Sequence, residues 1–188
     1  MELLEAHGHA KAGFDRVVGQ IRDEHWDSAT PCTDWTVRDL VNHLVYEQLW
    51  VPELLAGKTV AEIGNRYEGD VLGDDPVGRW HTTSQAAREA WVGPGALDGD
   101  VLLGRGPTPA TQYCWEMTLD LAVHGWDLAR GIGAESPLDD ELAGTLLPLF
   151  AEQVSAFQGI GIFDPPVPVP DTAGAAEQLL ALSGRDPR

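Results

Sequence analysis

Basic residues are scarce in this chain: 12 lysines and arginines stand against 30 aspartates and glutamates in 188 residues, a formal net charge of -18. A surface of that sign repels polyanions, which argues against nucleic acid and anionic membranes as partners. No run of about 18 apolar residues occurs, so no transmembrane helix is expected. Met1-Glu2-Leu3-Leu4-Glu5-Ala6-His7 lacks the basic start and apolar stretch of a signal peptide, and a cytoplasmic location is the expectation. The two cysteines, Cys32 and Cys114, are too few for a disulfide framework or a cysteine-based zinc module and suit a reducing compartment. There is no phosphate-cradling glycine loop, no dinucleotide fingerprint and no serine-nucleophile elbow. These absences remove the commonest cofactor and nucleophile classes.

What is present is helical periodicity with clear punctuation. Apolar residues Leu3, Leu4, Phe14, Val17, Val18 and Ile21 recur at near-helical spacing, which predicts a first helix over about 2–24. A loop follows at 26–35. Thr36 then stands as an N-cap with Asp39 three residues on, a capping-box pattern that opens a second helix running to about Ala56. Gly64 to Gly73 is a polar connector. Asp75-Pro76 opens a third helix to about Val92, because proline is preorganised for the first helical position. Residues 93–109 carry five glycines and three prolines and form a loop or short hairpin. A fourth helix is expected over 110–131, ended by Gly131 and Gly133. A fifth spans about 138–157 with Leu142, Leu146, Leu147, Leu149, Phe150 and Val154.

Prolines 165, 166, 168 and 170 force the segment from Phe163 to Pro170 to be extended, before a short last helix within 172–182 docked by Leu179, Leu180 and Leu182. No internal repeat or low-complexity linker divides the chain. The expectation is one domain over 1–188, an all-α helical bundle with residues 163–188 as a proline-rich C-terminal strap.

The chemistry concentrates on the second and fourth helices. Asp120 and His124 stand four apart and share one helix face, while His43 lies on the other helix. If the two helices face each other, two imidazoles and a carboxylate leave a position open on a divalent metal, as in catalytic rather than structural zinc sites. The donor set suits zinc first, and equally nickel, manganese, cobalt or iron(II). Asp127, three residues after His124, is placed to orient that imidazole or to take part in proton transfer. The competing reading is a surface hydrogen bond between Asp120 and His124 with His43 as a rim residue. Glu47, one turn beyond His43, is an extra ligand or a helix-surface acid. Cys32 and Cys114 are expected to be structural, and Trp50 and Trp126 to line a pocket near the ligands. His7 and His9 diverge from each other on the first helix, and His25 and His81 have no partner in sequence.

Three separated motifs carry a family resemblance. They are Trp26-x-x-x-Thr30-Pro31-Cys32-x-x-Trp35-x-Val37-x-Asp39-Leu40-x-x-His43, then Asp120-x-x-x-His124-Gly125-Trp126-Asp127-Leu128-Ala129-Arg130-x-x-Gly133, and the tail from Pro165-Pro166-Val167-Pro168 to Ser183-Gly184-Arg185-Asp186-Pro187. In that order they resemble the mycothiol-dependent maleylpyruvate isomerase N-terminal domain family, within the DinB/YfiT-like metalloenzymes, in its actinobacterial single-domain branch.

The resemblance implies a DinB-like four-helix bundle with short additional helices, and a divalent metal held by His43, Asp120 and His124. Aspartate at 120 departs from the glutamate or histidine more familiar there. It is one methylene shorter, which leaves direct ligation and a water-bridged contact both open. The resemblance also implies a low-molecular-weight thiol cosubstrate such as mycothiol and an electrophilic small molecule as partners. Thiol S-transfer or isomerase-like chemistry is the favoured activity. A non-catalytic metal- or ligand-binding bundle, a homodimer among its forms, and a hydrolase in which the metal activates water stand as alternatives.

Overall fold

The computed structural model describes residues 1–157 and 164–188, and the side chains of all of these except 152–157. The elements run α1 (Leu3–Val18), α2 (Val37–Leu55), α3 (Val60–Ile63), α4 (Pro76–Trp91), β1 (Asp100–Leu103), β2 (Gly106–Pro109), α5 (Ala110–Ile132), α6 (Asp140–Phe157) and α7 (Ala175–Leu182), with a 3-10 turn at Asp23–His25. Four long helices close a ring: α1 packs on α5 and α4, and α2 packs on α4 and α5. α6 lies against α1 and α5 and carries α7 on its other side. Among the described residues no helix is long and apolar enough to cross a membrane.

The local signals explain most boundaries. Thr36 accepts the Asp39 amide at 3.2 Å and Asp39 accepts the Thr36 amide at 2.9 Å, so two orphan donors are satisfied where α2 begins. Asp75 caps α4 by accepting the Gly78 amide, with Pro76 at the first helical position. β1 and β2 pair antiparallel from Asp100↔Pro109 to Leu103↔Gly106, so the glycine- and proline-rich stretch resolves as the short hairpin beside a mostly helical bundle.

Two boundaries differ from the sequence reading. α1 stops at Val18, where the Gly19 amide closes onto the Asp15 and Val17 carbonyls, and the Arg22 amide then bonds His25 Nδ1 to start the 3-10 turn. Helical spacing at Ile21 survived because that side chain, between α1 and the 3-10 turn, still packs against the core. Gly131 does not end α5 but lies within it. A Cβ there would approach Val37 at 3.1 Å, Thr30 at 3.2 Å and the Ala29 carbonyl at 3.3 Å, so its role is close approach of the 29–37 segment. Gly133, at φ +70°, is the left-handed C-cap that closes the helix.

The main core runs through the ring, with Phe14 against Trp80 at 4.5 Å between ring centroids and Leu40, Leu44, Leu121 and Leu128 fully enclosed. A second cluster, with Val51, Leu54, Trp91, Tyr113 and Cys114, sits where α2, α4 and α5 meet the hairpin. Leu142, Leu146 and Phe150 of α6 and Leu179 and Leu180 of α7 join the main core, whereas Leu149 is 41% exposed. The side chain of Val154, expected on the apolar face of that helix, and Phe163, expected to open the strap, lie outside the described residues. From Asp164 to Pro170 the strap has no regular element, and the Val167 amide donates to the Ala181 carbonyl.

Candidate functional site

α2 and α5 face each other across the bundle, and that packing brings His43 to Asp120 and His124. His43 Nε2 lies 3.5 Å from Asp120 Oδ2, and His124 Nε2 lies 3.4 Å from Asp120 Oδ1. One ligating atom from each of the three residues falls within 4.8 Å of the other two. His43 and Asp120 are each 26% exposed and His124 12%. Asp120 Oδ2 is itself buried and makes no hydrogen bond, an arrangement that costs free energy unless a cation or proton occupies the gap. Burial alone would raise the Asp120 pKa, but the charges of His124 and His43 outweigh it and lower it. Burial likewise opposes charge on His43, and Asp120 overrides it to raise the His43 pKa.

Asp127 addresses the other side of His124. Its side chain is wholly buried, and its Oδ2 accepts from His124 Nδ1 at 2.9 Å. The carboxylate is an acceptor only, so Nδ1 donates the hydrogen and Nε2 is turned toward Asp120. Arg185 reaches in from the strap and donates to the same carboxylate, Nη2 at 2.9 Å to Oδ2 and Nε at 3.3 Å to Oδ1. Burial would push the Asp127 pKa up, but the hydrogen bonds from His124 and Arg185 bring it below its ordinary value.

Cys32 completes this second layer. Its thiol donates to Asp127 Oδ2 at 3.1 Å and lies 3.6 Å from both His124 Nδ1 and Arg185 Nη2. The loop that presents it is closed on itself: the Thr30 amide and hydroxyl both donate to the Trp35 carbonyl, and the Trp35 amide donates to the Cys32 carbonyl. Asp34 takes φ +66° to make that turn. Trp35 then lies against both imidazoles, 5.0 Å from His43 and 5.8 Å from His124 between ring centroids.

Cys32, His124 and Asp127 also come within ligating distance of one another. A cation is disfavoured there, because the Arg185 guanidinium already pairs with Asp127. The thiol is pushed up to about 12 by burial and by Asp127, so it stays protonated. The cluster therefore orients His124.

The sequence-level candidates sort as follows. His43, Asp120 and His124 meet, and Asp127 touches His124. Glu47 does not join the three: it faces the cavity beyond them, where burial, then the Asp120 charge, raise its pKa to about 7. Trp50 lines that cavity of about 430 Å³, and Trp126 lines a second of about 820 Å³ on the strap side. His43 and Asp120 border both cavities. Cys114 is buried in the second core cluster, and His7 and His9 diverge, to Arg88 and Asp139 respectively. Arg185 had no assigned role in the sequence reading. Its signal was membership of the tail motif, and only the fold carries that tail across 58 residues to Asp127.

Fold and site together define a class: a mostly helical protein of the DinB-like maleylpyruvate isomerase fold with a His–Asp–His cluster between two facing helices. A solved mycothiol-dependent maleylpyruvate isomerase shares the fold at a TM-score of 0.69 and 18% identity, covering 98% of this chain and 90% of that one. The structure of a His-to-Ala mutant of a mycothiol-dependent maleylpyruvate isomerase matches at a TM-score of 0.63 and 17% identity, covering 82% and 70%. The family model of the mycothiol maleylpyruvate isomerase N-terminal domain matches residues 7–129, and the chain belongs to that family. It is also 30% identical over 190 residues to the uncharacterized proteins MT0763 and Rv0738 from two strains of Mycobacterium tuberculosis, covering all of this chain and all of each.

Proposed function

We propose that this protein is a divalent-metal-binding enzyme that uses a mycothiol-type thiol in S-transfer or isomerase-like chemistry on an electrophilic small molecule. The observation that carries the reading is the Asp120 carboxylate, its Oδ2 buried without a hydrogen bond, with His43 Nε2 at 3.5 Å from Oδ2 and His124 Nε2 at 3.4 Å from Oδ1. His43, Asp120 and His124 would hold the cation, with zinc first among the metals that take nitrogen and oxygen donors. When bound, the cation lowers the pKa of a thiol brought to it and supplies a nucleophile at neutral pH.

The chain's own groups do the rest. Asp127 keeps the His124 lone pair turned inward, and Arg185 neutralises Asp127 so that this carboxylate stays out of the ligand set. Cys32 remains a protonated donor, which leaves the nucleophile to an exogenous thiol. The family's name supports mycothiol as that thiol. Glu47 and Asp127 both stand outside the three-residue cluster among the described residues, which favours an open position over a closed, sequestering site.

The test begins with metal analysis of the purified protein by plasma mass spectrometry. His43→Ala and His124→Ala should each retain under about a tenth of the wild-type metal; unchanged metal in both variants overturns the assignment. Metal-loaded protein should then accelerate the reaction of mycothiol with 1-chloro-2,4-dinitrobenzene over the thiol alone. No acceleration with this or a small panel of electrophiles rejects S-transfer.

A further inference from the structure

The cavity of about 430 Å³ opens beside the cluster, on the side of α2 and α5 that the hairpin covers. Its walls are Tyr46, Trp50, Leu54, Leu103, Tyr113 and Met117, three of them aromatic. Trp50 packs between Tyr46 at 5.7 Å and Tyr67 at 6.3 Å between ring centroids, a surface suited to ring stacking. The volume matches one small ring compound.

Its charged groups are mostly acidic. Glu47, Glu116 and Asp120 line it, and the two groups there that can carry positive charge are already paired, Arg105 with Glu116 at 2.5 Å and His43 with Asp120 at 3.5 Å. An entering carboxylate would lose hydration beside three carboxyl groups, with both cationic groups of the wall already engaged. A neutral ligand avoids that penalty. Glu47 makes no hydrogen bond of its own among the described residues, so it has capacity left for a ligand's polar group.

We infer that this cavity takes an uncharged aromatic molecule, held by hydrogen bonding to Glu47, and rejects carboxylated ones. It deepens the proposed function, on which the description of this molecule as the electrophilic substrate rests. His43 and Asp120 border both this cavity and the larger one on the strap side, so the aromatic molecule and the polar thiol approach the cluster from opposite sides.

The test is a matched pair of unreactive probes, 4-nitrobenzyl alcohol and 4-nitrobenzoate, titrated into the full-length protein by calorimetry at pH 7.5, as purified and after chelator treatment. The alcohol should bind at least tenfold more tightly in the chelator-treated protein, where the wall carries only its own charges. Glu47→Gln should narrow that ratio to under about threefold, and Leu103→Trp, which fills the cavity, should weaken alcohol binding at least tenfold. Equal or tighter binding of the carboxylate by the chelator-treated protein, or no heat from either probe, overturns the inference. If the filled variant does not fold, the wild-type pair and Glu47→Gln decide the matter. Selective alcohol binding by a protein that holds no metal would sink the proposed function and leave this inference standing; metal binding without alcohol selectivity would do the reverse.

Discussion

His124 is flanked by two aspartates on its own helix, and they serve opposite faces of one ring. Asp120, four residues before, meets Nε2, and Asp127, three residues after, meets Nδ1. Asp127→Asn keeps the shape but removes the charge that orients His124 and pairs with Arg185. Metal affinity should fall about 10–100-fold in a chelator competition, the usual cost of losing a group that orients a metal-binding histidine. Urea unfolding should report a loss of about 3–5 kcal/mol, because Arg185 is left buried and unpaired. Adding Arg185→Met should restore much of the stability and none of the metal affinity. The i, i+4 and i, i+3 spacings around His124 are sequence-local and were legible. The partners of Asp127 were not: Cys32 lies 95 residues before it and Arg185 lies 58 after it, and neither distance has a sequence signature.

Helix starts were more legible than helix ends. Thr36–Asp39 and Asp75–Pro76 name a capping atom and a fixed φ, so the chemistry of two adjacent residues decides each start. The end of α1 depended on backbone closure at Gly19, and α3 on a Thr59–Glu62 capping box within a stretch too short to show periodicity. Gly131 separates the two kinds of glycine argument. Gly131→Ala forces a methyl against Val37, Thr30 and the Ala29 carbonyl and should cost about 1–3 kcal/mol by overpacking. It should also perturb the near-UV dichroism of Trp35, because the displaced segment carries that ring. Gly133→Ala meets nothing within 4 Å and should cost about 1–2 kcal/mol through its left-handed backbone alone, with Trp35 unchanged. Thermal or urea melts with parallel spectra separate the two outcomes.

Acid stability belongs to the molecule as a whole, since two groups on different helices oppose each other. His7 is fully enclosed between α1 and α4, where Arg88 donates to its Nδ1 and burial, then the Arg88 charge, lower its pKa to about 3. Its folded pKa lies below the unfolded value of 6.5, so its contribution is present above pH 6.5 and is lost as pH falls toward 3. Glu47 runs the other way. Its folded pKa of about 7 exceeds the unfolded 4.5, so its contribution is present below pH 4.5 and is lost as pH rises to 7.

Each slope is about 1.4 kcal/mol per pH unit, and between pH 4.5 and 6.5 they cancel. In chelator-treated protein the urea midpoint should therefore be nearly flat over that window. His7→Gln should expose a midpoint that falls with rising pH, and Glu47→Gln one that rises. Parallel profiles for both variants would contradict the assignment.

Amphipathic period, capping residues and proline placement are short-range properties, and they sufficed for the helical class, the long helices and the Asp120–His124 pair on one helix face. They suffice because a helix face and a helix start depend only on residues three or four apart. The facing of α2 and α5, the reach of Arg185 into the second layer, the neutrality of Cys32 and the acidic lining of an aromatic cavity were settled by tertiary packing. Burial, dielectric and long-range charge act through space, and only the folded chain sets which groups are close enough to feel them.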